Sequence, residues 1–295
     1  MILVTGATGR IGRRVVERLS EAGQVIRVLV RDRQKAQDLF ADGVELCEGN
    51  LSDYEAVQAA VAGAGAVMLL SPVAPDQVVL QGNVVTAALA AGKPYIVKIS
   101  GLGTALDSPV DSGRWHAETE LQIQSAGLPY TFLQPLFFMQ NLAFQFDSAR
   151  SKGLIRAGVG DARIAMIDVE DIADFAAKLL VDGNLLRDES VVLSALESVT
   201  YHDVASALTE VFGREVRYKQ QSLDKVKRSL QASGQPAWHI DILLQFNQAF
   251  LEGKGDVTNS IVADILGRPP TTLLQYLRRE AKDSVQDQGT NPFPN

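Results

Sequence analysis

Val4-Thr5-Gly6-Ala7-Thr8-Gly9-Arg10-Ile11-Gly12 decides how this chain reads. The stretch continues an apolar run, Ile2 to Thr5, that reads as a strand, and it opens a segment with Ile11, Val15, Val16 and Leu19 at helical spacing. In such a strand-turn-helix unit each glycine has a separate task. Gly6 permits the tight exit from the strand, Gly9 lets a pyrophosphate approach the backbone, and Gly12 lets the helix pack closely. The helix N-terminus then offers N–H groups and a positive dipole end to an anion, and Thr8 and Arg10 add side-chain donors. Glycines of an ordinary loop would lack the flanking strand and helix, so the context predicts a dinucleotide site here.

Working outward, the first 135 residues alternate short apolar runs with helical patterns, the order that builds a parallel sheet covered by helices. Strands are predicted at Ile2 to Thr5, Val25 to Val30, Val44 to Cys47, Ala66 to Leu70, Tyr95 to Ile99 and Tyr130 to Leu133. Helices are predicted from Ile11 to a stop at Gly23, and over about 33–40, 53–62, 76–91 and 114–125, with Gly92 and Gly127 as left-handed stops. Beyond Pro135 the rhythm changes, and Phe144 to Arg163 shows no clear alternation. A helix capped by Asp168 runs to about Val181, Val191 to Leu193 and Val216 to Tyr218 read as strands, and further helices cover 201–212, 223–232, 238–251 and 271–282. Near the end of that last helix, Arg278 and Arg279 suit the helix dipole. The expected fold is α/β: a Rossmann-type doubly wound parallel sheet with a smaller C-terminal α+β substrate domain. Residues 1–150 form the dinucleotide domain, with the helix near 168–182 and the strand near 191–194 returning to its border. Residues 151–282 form the substrate region, and the polar stretch 283–295 is a flexible tail.

The end of the second strand governs the choice of cofactor, because an acid there suits a free ribose hydroxyl and a base suits a 2′-phosphate. Arg31 and Asp32 follow Val30 directly, so both kinds are present. Asp32 has a second task available as the cap of a helix starting at Arg33. That leaves Arg31, with Arg33 and Lys35, to surround a phosphate, and it puts NADP(H) ahead of NAD(H).

Composition bounds the remaining possibilities. The chain has 295 residues, 46% of them hydrophobic, and a formal net charge of −7, which argues against general affinity for nucleic acid. Its longest apolar stretches fall far short of the roughly 20 residues that span a bilayer, and Met1 runs into the glycine turn without a basic leader, so a cytoplasmic location is expected. Cys47 is the one cysteine and reads as a buried strand thiol, the three histidines do not form a metal-binding pattern, and no metal site is expected.

With these motifs in place the chain resembles the atypical short-chain dehydrogenase/reductases, and more narrowly the NmrA-like group. The resemblance rests on Gly6, Gly9 and Gly12, on Val30-Arg31-Asp32, and on Gly49-Asn50-Leu51. Further matches are Trp115-His116-Ala117-Glu118-Thr119-Glu120, Ser125 through Pro135, Phe138-Met139-Gln140-Asn141-Leu142 and Leu266-Gly267-Arg268-Pro269-Pro270. The resemblance implies that Gly6, Thr8, Gly9, Arg10, Ile11 and Gly12 line the pyrophosphate, that Arg31 and Lys35 meet the 2′-phosphate, and that Asn50 and Leu51 approach the adenine. Ser71, Pro72, Ser100, Gly101, Pro135 and Phe138 follow successive strands, where the nicotinamide half belongs. The Tyr-x-x-x-Lys pair of the main branch is missing. If Glu120 occupies the acidic position after that pair, Ser112 falls at the tyrosine and His116 at the lysine. His116 becomes the candidate proton donor, set against a plain packing role.

Two leading functions remain open, beside a third, a reductase or isomerase of a dedicated biosynthetic route. One is an NADPH-dependent reductase that passes hydride to a small, planar, apolar acceptor such as a quinone, which needs little acid catalysis, with Phe137, Phe138, Trp238, Phe246 and Phe250 as a candidate apolar wall. The other is a non-catalytic NAD(P)(H) sensor that acts on a protein partner. The sequence shows no coiled-coil pattern that would set an oligomeric state.

Overall fold

A computed structural model describes residues 1–286, with side chains through Lys282. In chain order the elements are β1 (Ile2–Val4), α1 (Arg10–Glu21), β2 (Ile26–Val30), α2 (Arg33–Gln37), β3 (Glu45–Glu48), α3 (Tyr54–Val61), β4 (Ala66–Leu69), α4 (Gln77–Ala90), β5 (Tyr95–Ile99), α5 (Asp111–Ser125) and β6 (Tyr130–Pro135). There follow β7 (Phe137–Phe138), a 3-10 turn (Met139–Gln145), α6 (Phe146–Lys152), β8 (Leu154–Ala157), β9 (Met166–Ile167), α7 (Val169–Asp182) and β10 (Glu189–Leu193). The last are α8 (Tyr201–Phe212), β11 (Arg217–Gln220), α9 (Leu223–Ala232), α10 (Ala237–Leu251), α11 (Ile261–Leu266) and α12 (Leu273–Gln286).

The chain divides into two compact units, and neither is one continuous stretch. The first comprises Met1–Leu136, Val169–Leu193 and Ile261–Arg268; the second comprises Phe137–Asp168, Ser194–Ser260 and the segment from Pro269 on. The first stretch therefore ends at Leu136, earlier than the boundary near residue 150 that the sequence suggests.

The first unit is built on a seven-stranded sheet of order β10-β6-β5-β4-β1-β2-β3, parallel throughout. Every residue of β1, β4 and β5 is buried, as expected of strands covered by helices on both faces. Strand order reverses between β1 and β4, and the Thr5 hydroxyl braces that seam. It donates to the carbonyl of Leu70 at 2.8 Å and accepts from the Leu70 amide at 2.9 Å. On the outside, Arg18 of α1 pairs with Glu170 and Asp174 of α7 at 2.9 and 2.7 Å, which ties the returning segment to the first helix.

The second unit holds two small parallel pairs, β7 with β9 and β8 with β11. Apart from the region of β11, these strands escape sequence reading because two to four residues are too few to show a period of two. Its C-terminal helix α12 runs to Gln286 and so takes in residues 283–286, which the sequence assigns to a tail. The rest of that tail, 287–295, lies outside the described residues. Arg278 and Arg279 consequently sit within the helix and not near its end. They pair with Glu210 and with the fully buried Asp168, whose other oxygen accepts from Gln140 at 2.8 Å. Among the described residues no helix is long and apolar enough to cross a membrane.

Candidate functional site

All strands of the main sheet are parallel, so their C-terminal ends share one edge, and the candidate residues of the first unit fall along it. At its centre is the glycine turn. Gly6 has a φ of +62°, which favours glycine, and a Cβ there would lie 2.9 Å from the carbonyl oxygen of Leu70. A Cβ at Gly12 would lie 2.2 Å from the carbonyl oxygen of Gly6, so α1 rests directly on the turn. The turn itself closes with the Gly9 amide donating to the Gly6 carbonyl at 3.0 Å. Among the described residues no side chain caps α1, its first turn carries no acid, and Thr8, Gly9 and Arg10 are exposed while Ile11 is buried. A helix N-terminus left uncapped and ungated by Cβ atoms is a fit cradle for a diphosphate.

On the β2 side, the Asp32 carboxylate accepts from the Lys35 amide at 3.0 Å and caps α2. That backbone hydrogen bond holds its pKa below the usual carboxylate value. Arg33 turns away to the carbonyl of Leu46 at 2.8 Å, and the exposed Lys35 ammonium lies 3.4 Å from Asp32. Arg31, also exposed, has no hydrogen bond or ion pair among the described residues. At the end of β3, Asn50 folds back to accept from the Ser52 amide at 3.3 Å, while Leu51 packs on the core and its carbonyl accepts from Asn83 at 2.7 Å.

On the β4 and β5 side the edge becomes buried and polar. Ser71 donates to the Pro72 carbonyl at 3.2 Å and accepts from Gln81 at 2.9 Å. Ser100 donates to Glu120, and Gly101 leaves room beside His116, whose Cδ2 would be 3.8 Å from a Cβ there. His116 is itself buried, and its Nδ1 lies 3.0 Å from the Gln77 amide nitrogen and 2.7 Å from the Lys98 ammonium. Burial, then the Lys98 charge, holds the imidazole well below its ordinary value. Burial lowers Lys98 to about 7, opposed by Glu120, and burial raises Glu120. Among the described residues the side-chain oxygens of Gln77 and Gln81 are buried without a partner, so this end of α4 carries unspent acceptors. Pro135 ends β6, and its carbonyl accepts from the Leu102 amide at 3.0 Å. Ser112, the residue at the missing tyrosine's position, is buried in the first turn of α5.

Phe138 belongs to the second unit, with Phe137, Trp238, Phe246 and Phe250. There Phe250 meets Phe137 edge-on at 6.0 Å and stacks with Phe246 at 6.2 Å. The sequence reading missed Lys98 and Gln77. A lysine inside Tyr95-Ile96-Val97-Lys98-Ile99, a run with every residue buried, was the available signal, since an ammonium is rarely buried without a partner.

The chain matches the NmrA-like family over residues 1–277. It is 34% identical over 284 residues to an NAD(P)H azoreductase of Xenophilus azovorans, an alignment covering 95% of this chain and 98% of the relative. With quinone oxidoreductase 2 of Escherichia coli K12 it shares 30% identity over 280 residues, 93% of this chain and 96% of the relative. Among solved structures, the NADPH-dependent quinone oxidoreductase of Escherichia coli complexed with NADPH superposes with a TM-score of 0.88 at 27% identity, over 95% of this chain and 99% of that one. The fold, the glycine turn and these full-length likenesses converge, and the chain belongs to the NmrA-like family.

Proposed function

We propose that this chain is an NAD(P)H-dependent reductase that acts on a small, planar, apolar acceptor of quinone or azo type. The observation that carries the reading is the uncapped α1 N-terminus behind Gly6, Gly9 and Gly12, on the same sheet edge as the buried His116. The relatives named an NAD(P)H azoreductase and a quinone oxidoreductase support it.

In this reading the turn from Gly6 to Gly12 holds the diphosphate, Asn50 and Leu51 flank the adenine, and Ser71, Pro72, Ser100, Gly101 and Pro135 line the nicotinamide half. When bound, the dihydronicotinamide supplies hydride. His116 gives the proton. An electrophilic acceptor tolerates a weak acid, which accounts for a site without the Tyr-x-x-x-Lys pair. Turnover of a quinone, azo and enone panel by the purified protein with NADPH tests the proposal; no reduction of any member ends it. The sensor reading has no observation of its own in its favour.

Arg31, whose side chain has no partner among the described residues, beside an Asp32 occupied in capping, favours NADPH over NADH. Charge-assisted hydrogen bonds of about 1.5–3 kcal/mol to a 2′-phosphate correspond to roughly tenfold or more in affinity. Arg31→Ala should therefore raise the Kd for NADPH by about tenfold and leave that for NADH within about twofold. Calorimetric titration with both coenzymes measures this, and an unchanged ratio would remove Arg31 from the phosphate site.

A further inference from the structure

Lys98 lies in the middle of the sheet, with Leu69 of β4 and Phe132 of β6 as its register partners, and it is completely buried. Its Nζ reaches to 2.7 Å from His116 Nδ1, a nitrogen that also has the Gln77 amide nitrogen at 3.0 Å. An ammonium has only donors to offer, so Nδ1 accepts and the ring proton sits on Nε2. Nε2 has no partner among the described residues, and the adjoining Cδ2 faces Gly101 at the end of β5. The ring thus presents its one N–H toward the sheet edge that carries the candidate cofactor residues.

We infer that Lys98 fixes His116 as the Nε2–H tautomer and supplies, through Nδ1, the proton that His116 passes to the reduced acceptor, an inference that rests on the reductase reading above. After the acceptor has taken hydride from the dihydronicotinamide, its oxygen or nitrogen carries a negative charge. The His116 Nε2–H bond breaks and an O–H or N–H bond forms on the acceptor. At the other side of the ring one Lys98 N–H bond breaks and Nδ1–H forms. The imidazole is neutral before and after, Lys98 ends as a neutral amine, and the two electrons came with the hydride. Solvent then protonates Nε2 while Nδ1 returns its proton to the buried Lys98 amine, which restores the starting tautomer and the ammonium.

This arrangement answers a difficulty that His116 alone would face. Burial keeps the imidazole uncharged at neutral pH, so an imidazolium is no proton reserve. Lys98, brought down to about 7, holds a proton that it releases near neutrality. The ionisable groups facing Lys98 among the described residues are His116 and Glu120, both from α5; α4 contributes the uncharged Gln77. Glu120 is engaged by the Ser100 hydroxyl. A lysine that only packed would leave the tautomer and the rate indifferent to its charge.

The test uses the whole protein with 15N-labelled histidine, which has three histidines to resolve. The His116 signals are identified by their loss in His116→Gln. A long-range proton–nitrogen correlation spectrum at pH 6 should show His116 neutral with its proton on Nε2, and the Nδ1 resonance should move as pH passes through about 7. In Lys98→Met that movement should be absent. Turnover of a quinone by the wild type should fall by about tenfold in all as pH rises through the Lys98 transition, and then level off where the Lys98 proton is gone. Lys98→Met should be slower by roughly tenfold at pH 6 and flat over the same range, with its Kd for NADPH unchanged. An Nδ1–H tautomer at pH 6, or a Lys98→Met profile that keeps the wild-type limb, overturns the inference. The spectrum and the wild-type profile need no variant to fold. A wild type without turnover removes the reductase reading and proton delivery with it, whereas the tautomer is decided by the spectrum alone.

Discussion

Replacing Gly12 with alanine is expected to lower the free energy of unfolding by about 3 kcal/mol, the upper end of overpacking costs, and to weaken NADPH binding by about tenfold or more. The added Cβ would fall 2.2 Å from the Gly6 oxygen, 2.7 Å from the Gly6 carbonyl carbon and 2.8 Å from the Ala7 Cα. All three are backbone atoms, so no side chain can swing aside. The helix must lift from the turn, and its N–H groups leave the position where they would meet phosphate. Gly9→Ala is the informative companion, because its Cβ would approach only the Gly6 oxygen at 3.2 Å. Stability there should change by less than about 1 kcal/mol, while coenzyme affinity still falls. Urea unfolding and calorimetric titration measure both quantities. A Gly12→Ala protein with wild-type stability and affinity would contradict the close packing of α1 on the turn.

His116→Ala is expected to reduce kcat by about 100-fold for an azo or enone acceptor and by only about tenfold for a quinone, within or below the usual range for a lost general acid. The difference between acceptors is the point, since an electrophilic quinone needs its proton less urgently. The Kd for NADPH should not change, because the ring is remote from the glycine turn in sequence and is held by Lys98 and Gln77 instead. Steady-state kinetics across the acceptor panel, with coenzyme titration alongside, provide the measurement. An equal loss for every acceptor would assign His116 to orientation and not to proton transfer.

Much of this molecule was legible because its main sheet is buried on both faces. Strands such as Ala66–Leu69 and Tyr95–Ile99 must then be nearly continuous apolar runs, and the glycine turn adds a motif whose spacing has a steric cause. The short pairs of the second unit were not legible, since Phe137–Phe138 and Met166–Ile167 acquire strand character only by finding each other across the fold. The candidate site divides in the same way. Gly6, Gly12 and Arg31 announce themselves locally, and Asp32 shows its cap by standing before Arg33. The partnership of Gln77, Lys98 and His116 joins residues 18 and 39 positions apart, and only the tertiary structure brings them within hydrogen-bonding distance. Arg278 and Arg279 were misplaced for a related reason: a polar helix end resembles a loose tail when the extra turn carries no apolar stripe.

The chain path of the first unit, which closes its sheet with Glu189–Leu193 after an excursion through Phe137–Asp168, has a consequence for biosynthesis. A ribosome releases β6 well before β10, so β6 stands at the edge of the nascent sheet with unpaired amides and carbonyls until β10 covers it. Translation stalled between these two strands leaves the β6 edge open to pairing with another nascent chain.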